Sequence, residues 1–321
     1  KSFSSRINNT SVISMSQAIY SPQVLPINPE HVVKQFSRRG LLEDSRFFYD
    51  EISRRMIGRL SYIRISPETV VDAGCGPGHS LASLRERFPK ARLIGVDSCP
   101  SFIEHCKKTY LPKGMQAWVS KLGRKSQDEF HLADLAAMPM AAESAGLVWS
   151  NMALHWHPEP HKVIAEWRRV IQVGGICMFS CLGPGTFIEL RKAIETAGIQ
   201  TKTVSFVDMH DFGDILLEHG FVDPVMDQEV ITLTYQSPQK LLADVAALGG
   251  NPTIGRHDGL VGRQWYQRLC DAFEQQRQPD GKLHLSLEVA YGHAWKSAVH
   301  KTAAGETHIS LSAIGGRKSP Q

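Results

Sequence analysis

The run Val70-Val-Asp-Ala-Gly-Cys-Gly-Pro-Gly78 restricts what this chain can fold into more than any other stretch. A short β-branched segment ends in an acid, the backbone turns through three glycines, and helix-forming residues follow. Glycine reaches left-handed dihedrals that other residues avoid, and its bare backbone lets a ligand approach closely. The acid-ended strand then recurs. Residues 92–97 predict a second strand closing on Asp97, 19 residues beyond Gly78. Residues 130–132 predict a third, just before Asp134, with a fourth at 146–150 and a fifth at 176–180.

Helical spacing fills the intervals. Residues 45–60 carry Phe48, Ile52, Met56 and Leu60 four apart, and residues 79–87, 102–108 and 160–170 read as further helices. Alternation at these lengths implies a parallel sheet covered on both faces, and right-handed crossovers make it doubly wound and Rossmann-like. Residues 228–235 and 283–291 alternate as final antiparallel strands, with helices at 238–248 and 262–275 between them. The expected fold is therefore α/β, a Rossmann-like doubly wound seven-stranded sheet with a helical cap inserted near the C-terminus, at about 236–282. That domain would span 30–296. Residues 1–29 lack any acid and are rich in Ser, Asn and Pro, as expected of a disordered extension, although a transit peptide shares that composition. Residues 297–321 would be a loose tail.

Charge narrows the partners. Lys and Arg number 36 against 32 Asp and Glu, a net charge of +4. This is too small a surplus to mark a nucleic-acid binder, but it suits an acidic ligand or partner protein. No apolar run approaches the roughly 20 residues of a membrane span. The six cysteines form no C-x-x-C pair, so reduced thiols and a cytoplasmic location are expected. His155, His157 and His161 are closely spaced, but no carboxylate or thiol completes a ligand set and Pro158 and Pro160 break any helix aligning them, so no metal is expected.

An acid at the end of the second strand can accept both hydroxyls of a ribose, and Asp134 stands where it can meet an adenine amino group. The loop reads G-x-G-x-G, without the dinucleotide spacing, which disfavours NAD. Together the three elements resemble the class I S-adenosylmethionine methyltransferases. Their first motif is similar to Asp72–Gly78, their ribose acid to Asp97 and their adenine acid to Asp134. The resemblance implies S-adenosylmethionine contacts from Asp72, Gly74, Cys75, Gly76, Gly78, Asp97, Ser98, Asp134, Leu135 and Asn151.

Further segments resemble the malonyl-acyl-carrier-protein O-methyltransferases of biotin synthesis, the BioC group. They are Phe36-Ser-Arg38, Asp134–Met140, Trp149–Trp156, Glu166–Val170, Gly183–Thr186 and the ending Tyr291-Gly-His-Ala-Trp-Lys296. The resemblance implies methylation of the free carboxylate of malonyl-acyl carrier protein, an acidic partner. His155 and Trp156 follow the fourth strand, at the carboxyl edge where such sheets bind ligands, so one of them is expected to border the acceptor. Arg38, Arg39, Arg54, Arg55, Arg59, Arg256, Arg263 and Arg268 are candidates for steering that carrier. Family members carry Tyr-Asp soon after the Phe-x-Arg element; here that position falls near Glu43, and Tyr49 is out of register. A related branch, the complex I assembly methyltransferase-like proteins, shares the Trp-Lys ending, so modification of a protein side chain such as arginine is the alternative.

Overall fold

A computed structural model describes residues 24–111, 128–257, 262–297, 300–301 and 307–308. Five parallel strands form its centre: β1 (Thr69–Ala73), β2 (Arg92–Asp97), β3 (Glu129–Leu132), β4 (Ala145–Asn151) and β5 (Ile171–Leu182). Two longer strands, β6 (Phe221–Tyr235) and β7 (Leu283–Lys296), complete the sheet in the order β3-β2-β1-β4-β5-β7-β6, with β7 antiparallel to both neighbours. The chain starts at β1, winds outward to β3, then crosses back to β4. That reversal opens a crevice at the carboxyl ends of β1 and β4, where such sheets take ligands.

The helices are α1 (Pro29–Arg38), α2 (Arg46–Leu60), α3 (Leu81–Arg87), α4 (Pro100–Tyr110), α5 (Pro160–Val170), α6 (Ile188–Thr196), α7 (Met209–Glu218), α8 (Pro238–Leu248) and α9 (Arg263–Glu274). Neighbouring strand residues point to opposite faces, and the core divides accordingly. Val70 joins Leu147, Trp149 and Met178 under Phe48, Ile52, Met56 and Leu60 of α2. Val71 joins Val148 and Phe179 under Trp167 of α5 and Phe212 of α7. The inner strands β1, β2 and β4 are buried on both faces because helices cover both, whereas the edge strand β3 buries only Phe130. A third cluster, Leu241, Leu269, Phe273, Leu283 and Leu285, lies beneath α8 and α9.

These two helices form the expected cap between β6 and β7. The cap also holds the start of the described chain. Ile27 bridges Thr253, Asn28 N–H donates to the Pro252 carbonyl, and Leu25 N–H donates to that of Pro158. Ile27 is buried, so residues 25–28 are docked rather than loose; residues 1–23 lie outside the described residues. In the expected tail, 300–301 pair with 307–308. Among the described residues no helix is long and apolar enough to cross a membrane. All six cysteines are buried and unbridged.

Candidate active site

A cavity of about 300 Å³ occupies the crevice. Its floor is the glycine loop. Gly74, Gly76 and Gly78 have φ of +83°, +53° and +96°, the left-handed conformations the sequence required. A Cβ on Gly74 would come 2.1 Å from Ala153 Cβ, whereas one on Gly76 would meet nothing within 4 Å. Thus Gly74 lets the loop pack against the β4 exit, and Gly76 turns bare backbone to open space.

The three acids divide the work. Asp97 closes β2 with Oδ2 accepting from Gly76 N–H (2.9 Å) and Oδ1 from Cys99 N–H (2.8 Å). It lines the cavity with Ser98, and burial raises its carboxyl to about 6. Asp72 is the penultimate residue of β1 and is 2% exposed. Both of its carboxylate oxygens are buried without a hydrogen-bond partner among the described residues. Burial, then the nearby Asp97 charge, lifts its pKa to about 8. Asp134 follows β3, is partly exposed, and accepts from Ala136 N–H (2.7 Å). His157 Nε2 lies 3.1 Å from its Oδ1 and holds its pKa below the usual range.

Gly74, Cys75, Gly76, Leu135, Asn151 and Trp156 also line the cavity. Asp72 and Gly78 do not: Asp72 is buried within β1, and Gly78 packs against Tyr110. Asn151 has a structural load besides its place in the wall. Its Nδ2 donates to the Tyr49 carbonyl (3.0 Å) and its Oδ1 accepts from Ser180 Oγ (3.1 Å), which pins α2 against the sheet.

His155 is displaced from the expected role. It is 2% exposed and is not part of the cavity wall. Its Nδ1 accepts from Leu182 N–H (3.3 Å), and its ring packs against Trp156 (4.7 Å) and Phe206 (5.6 Å). Burial drives its pKa down to about 3, so it is a neutral ring supporting Trp156. The two neighbours diverge because the 3-10 turn Leu154–Trp156 sends successive side chains in different directions.

Val32, Val33 and Phe36 line the cavity from α1, a helix the sequence reading left out, and Tyr49 and Ser80 join them from segments it did read as helical. Tyr49, out of register by motif alignment, reaches the wall from α2 and donates to the Leu248 carbonyl of α8 (3.4 Å). The signal for α1 was present: Asn28 caps it by accepting from His31 N–H, Pro29 opens it, and Val32, Val33 and Phe36 follow at helical spacing.

The expected basic surface is only partly available. Arg54 and Arg55 pair with Glu51, Arg55 also with Glu229, and Arg59 with Asp227. Arg38, Arg263 and Arg268 are exposed.

Residues 71–179 match the model of a methyltransferase domain family. The chain is 42% identical over 249 residues to the malonyl-acyl-carrier-protein O-methyltransferase of Laribacter hongkongensis, covering 77% of this chain and 82% of that protein. It is 38% identical over 278 residues to the protein of that name from Nitrosospira multiformis, covering 85% and 90%. The solved YcgJ protein of Bacillus subtilis superposes with a TM-score of 0.51 at 12% identity, over 76% of this chain and 99% of that one, a likeness of fold. Sequence kinship over most of both lengths and a crevice of this shape agree: the chain belongs to the malonyl-acyl-carrier-protein O-methyltransferase family.

Proposed function

We propose that this protein methylates the free carboxylate of a malonyl group carried on acyl carrier protein, using S-adenosylmethionine, and so opens pimeloyl synthesis for biotin. The observation that carries the reading is the identity with enzymes of that one name over 82–90% of their length.

The residues present fit the cofactor. S-adenosylmethionine brings a cationic amino-acid end, a ribose diol and an adenine. Asp72 supplies a buried carboxylate with no other partner among the described residues, suited to the positive end through a bridging water. Each Asp97 oxygen accepts a backbone N–H and keeps a lone pair for a ribose hydroxyl. Asp134 offers an acceptor for the adenine amino group, with Leu135 beside it in the wall. Gly76 leaves room where any side chain would intrude. Bound there, S-adenosylmethionine supplies an electrophilic methyl group.

The chain's own task is then positioning. A malonyl carboxylate is ionised near pH 7, so no side chain need remove a proton. Trp156, Phe36, Tyr49 and Leu42 form apolar wall around the crevice and exclude water from the carboxylate. Holding both reactants in line supplies most of the acceleration available to such a reaction. Arg38, Arg263 and Arg268 are offered as the steering surface for an acidic carrier, an attraction that salt would weaken. The buried, unbridged thiols suit a reducing cytoplasm.

The test is mass spectrometry of malonyl-acyl carrier protein incubated with the full chain and S-adenosylmethionine. The expected result is a gain of about 14 Da, one added CH₂ from the cofactor's methyl group, absent with acetyl-acyl carrier protein. No gain despite cofactor binding would overturn the acceptor assignment.

A further inference from the structure

Buried polar atoms without partners are rare and mark places where something else is meant to bind. In the β1 core they are the two acceptors of Asp72. On the cap side they include two donors, Trp156 Nε1 and Arg39 Nη1, neither with an acceptor among the described residues, and the Thr253 hydroxyl. Trp156 lines the cavity; Trp149 and Trp167 also have unpaired Nε1 atoms but lie wholly in the core. Arg39 is therefore the informative group.

Arg39 caps the C-terminal end of α1. Its Nη2 donates to Gln35 Oε1 (3.3 Å), and its guanidinium carbon lies 5.3 Å from the Phe36 ring centroid. No carboxylate pairs with it among the described residues, and the charge felt beside it is that of the Tyr49 phenol. A Cβ on Gly250 would sit 2.7 Å from Nη2, and one on Gly249 would sit 2.1 Å from the Trp156 indole. Phe36 in turn packs edge-on against Trp156, 5.6 Å between ring centroids. Two glycines thus bring the cap backbone against the pair Arg39 and Trp156. Gly250 also lines a second cavity of about 420 Å³ beneath the cap and Phe36 lines the cofactor crevice, so Arg39, itself in neither wall, packs against a wall residue of each. An unpaired guanidinium in a partly desolvated seam is costly unless an anion completes it.

We infer that Arg39 binds the acceptor's free carboxylate, which enters the crevice from the cap side past Phe36, Trp156 and Gly250. The inference rests on the carboxyl-methylation reading above and names the group that selects the substrate. A malonyl unit carries the anion that Arg39 lacks, and an acetyl unit does not. The methyl ester produced is neutral, so the product loses this ion pair and is released more readily than the substrate.

Arg39→Gln and Arg39→Lys in the full chain test it. Wild type should bind malonyl-acyl carrier protein more tightly than acetyl-acyl carrier protein, with S-adenosylhomocysteine present. Arg39→Gln should remove that preference and raise KM for the malonyl carrier about tenfold or more, the loss of one charge-assisted contact. S-adenosylmethionine affinity by calorimetry should stay within about twofold, because Arg39 touches none of the cofactor residues; Arg39→Lys should recover part of the preference. An Arg39→Gln enzyme that keeps the malonyl preference and wild-type KM overturns the inference while the function stands. A wild type that binds S-adenosylmethionine but neither prefers nor methylates the malonyl carrier overturns the function itself. If Arg39→Gln melts early, Arg39→Met carries the same comparison, since the readout is a preference between two carriers and not activity alone.

Discussion

His157 donates to Asp134. Glu159 N–H occupies His157 Nδ1 at 3.0 Å, so the proton sits on Nε2, 3.1 Å from Asp134 Oδ1. A carboxylate on an exposed loop is thereby held at the crevice mouth. His157→Ala should leave Asp134 in place but free to turn, and weaken S-adenosylmethionine binding severalfold. Asp134→Ala should weaken it more, about tenfold, as expected for a lost acceptor of roughly 1–1.5 kcal/mol. Calorimetric titration of the two variants checks the ranking.

The buried acids make binding depend on pH. Asp97 titrates at about 6 and Asp72 at about 8, both raised by burial. The folded chain therefore keeps protons that the unfolded chain releases near pH 4, and this contribution to stability is lost as pH rises toward 8. A cationic ligand beside Asp72 favours its ionised form. Cofactor binding at pH 7 should release protons, and affinity should strengthen from pH 6 to 8. Calorimetry in buffers of different ionisation heat reads the proton count directly. Asp72→Asn should raise the melting temperature of the ligand-free protein at pH 8 and weaken cofactor binding at least tenfold.

Gly74 and Gly76 separate fold from ligand. Gly74→Ala drives a methyl into Ala153 at 2.1 Å and adds left-handed strain, so a steep fall in melting temperature is expected. Gly76→Ala meets no protein atom and should cost only about 1 kcal/mol of backbone strain. Its methyl group faces space the cofactor needs, so the variant should be folded yet bind S-adenosylmethionine poorly. Thermal melts and titrations on both variants distinguish the two cases.

Asn151→Ala should destabilise the chain by about 1–3 kcal/mol, the loss of its buried hydrogen bonds to the Tyr49 carbonyl and the Ser180 hydroxyl. Because α2 carries Tyr49 into the wall, carrier turnover should fall further than cofactor affinity. Denaturant unfolding alongside kinetics checks both effects.

What the sequence disclosed, and what it hid, follows from how local each signal is. Strands β1 and β2 were legible because each is a short apolar run closing on an acid, and β4 because its apolar run follows a glycine. Helix α5 was legible from Pro160 at its start. The reading shortened β6 to its second half, because Asp223 and Pro224 look like a break. In the structure Asp223 has φ +49° at a register shift in the strand, and the ladder resumes at Val225. Gly174 and Gly175, which fall between the expected helix 160–170 and the expected strand 176–180, lie within a bulged start of β5. Asp97 and Asp134 reach the crevice because strand ends fix them. His155 and Tyr49 could not be placed from spacing: whether a turn residue faces the crevice or the core depends on a 3-10 turn, and Tyr49 depends on how α2 is pinned by Asn151.

The cap is an insertion in the β6–β7 hairpin, at the edge of the sheet remote from β1 and β2. The residues assigned to the methyl donor all fall within 72–151. Those that crowd the acceptor side from the cap, Gly249 and Gly250 among them, fall within 236–282. The donor is thus handled by the crevice of the sheet, and the acceptor by two stretches outside it, the cap and the end of α1 with Arg39, which meet at Trp156. A descendant could exchange those two stretches and court a new acid while inheriting its methyl supply unchanged.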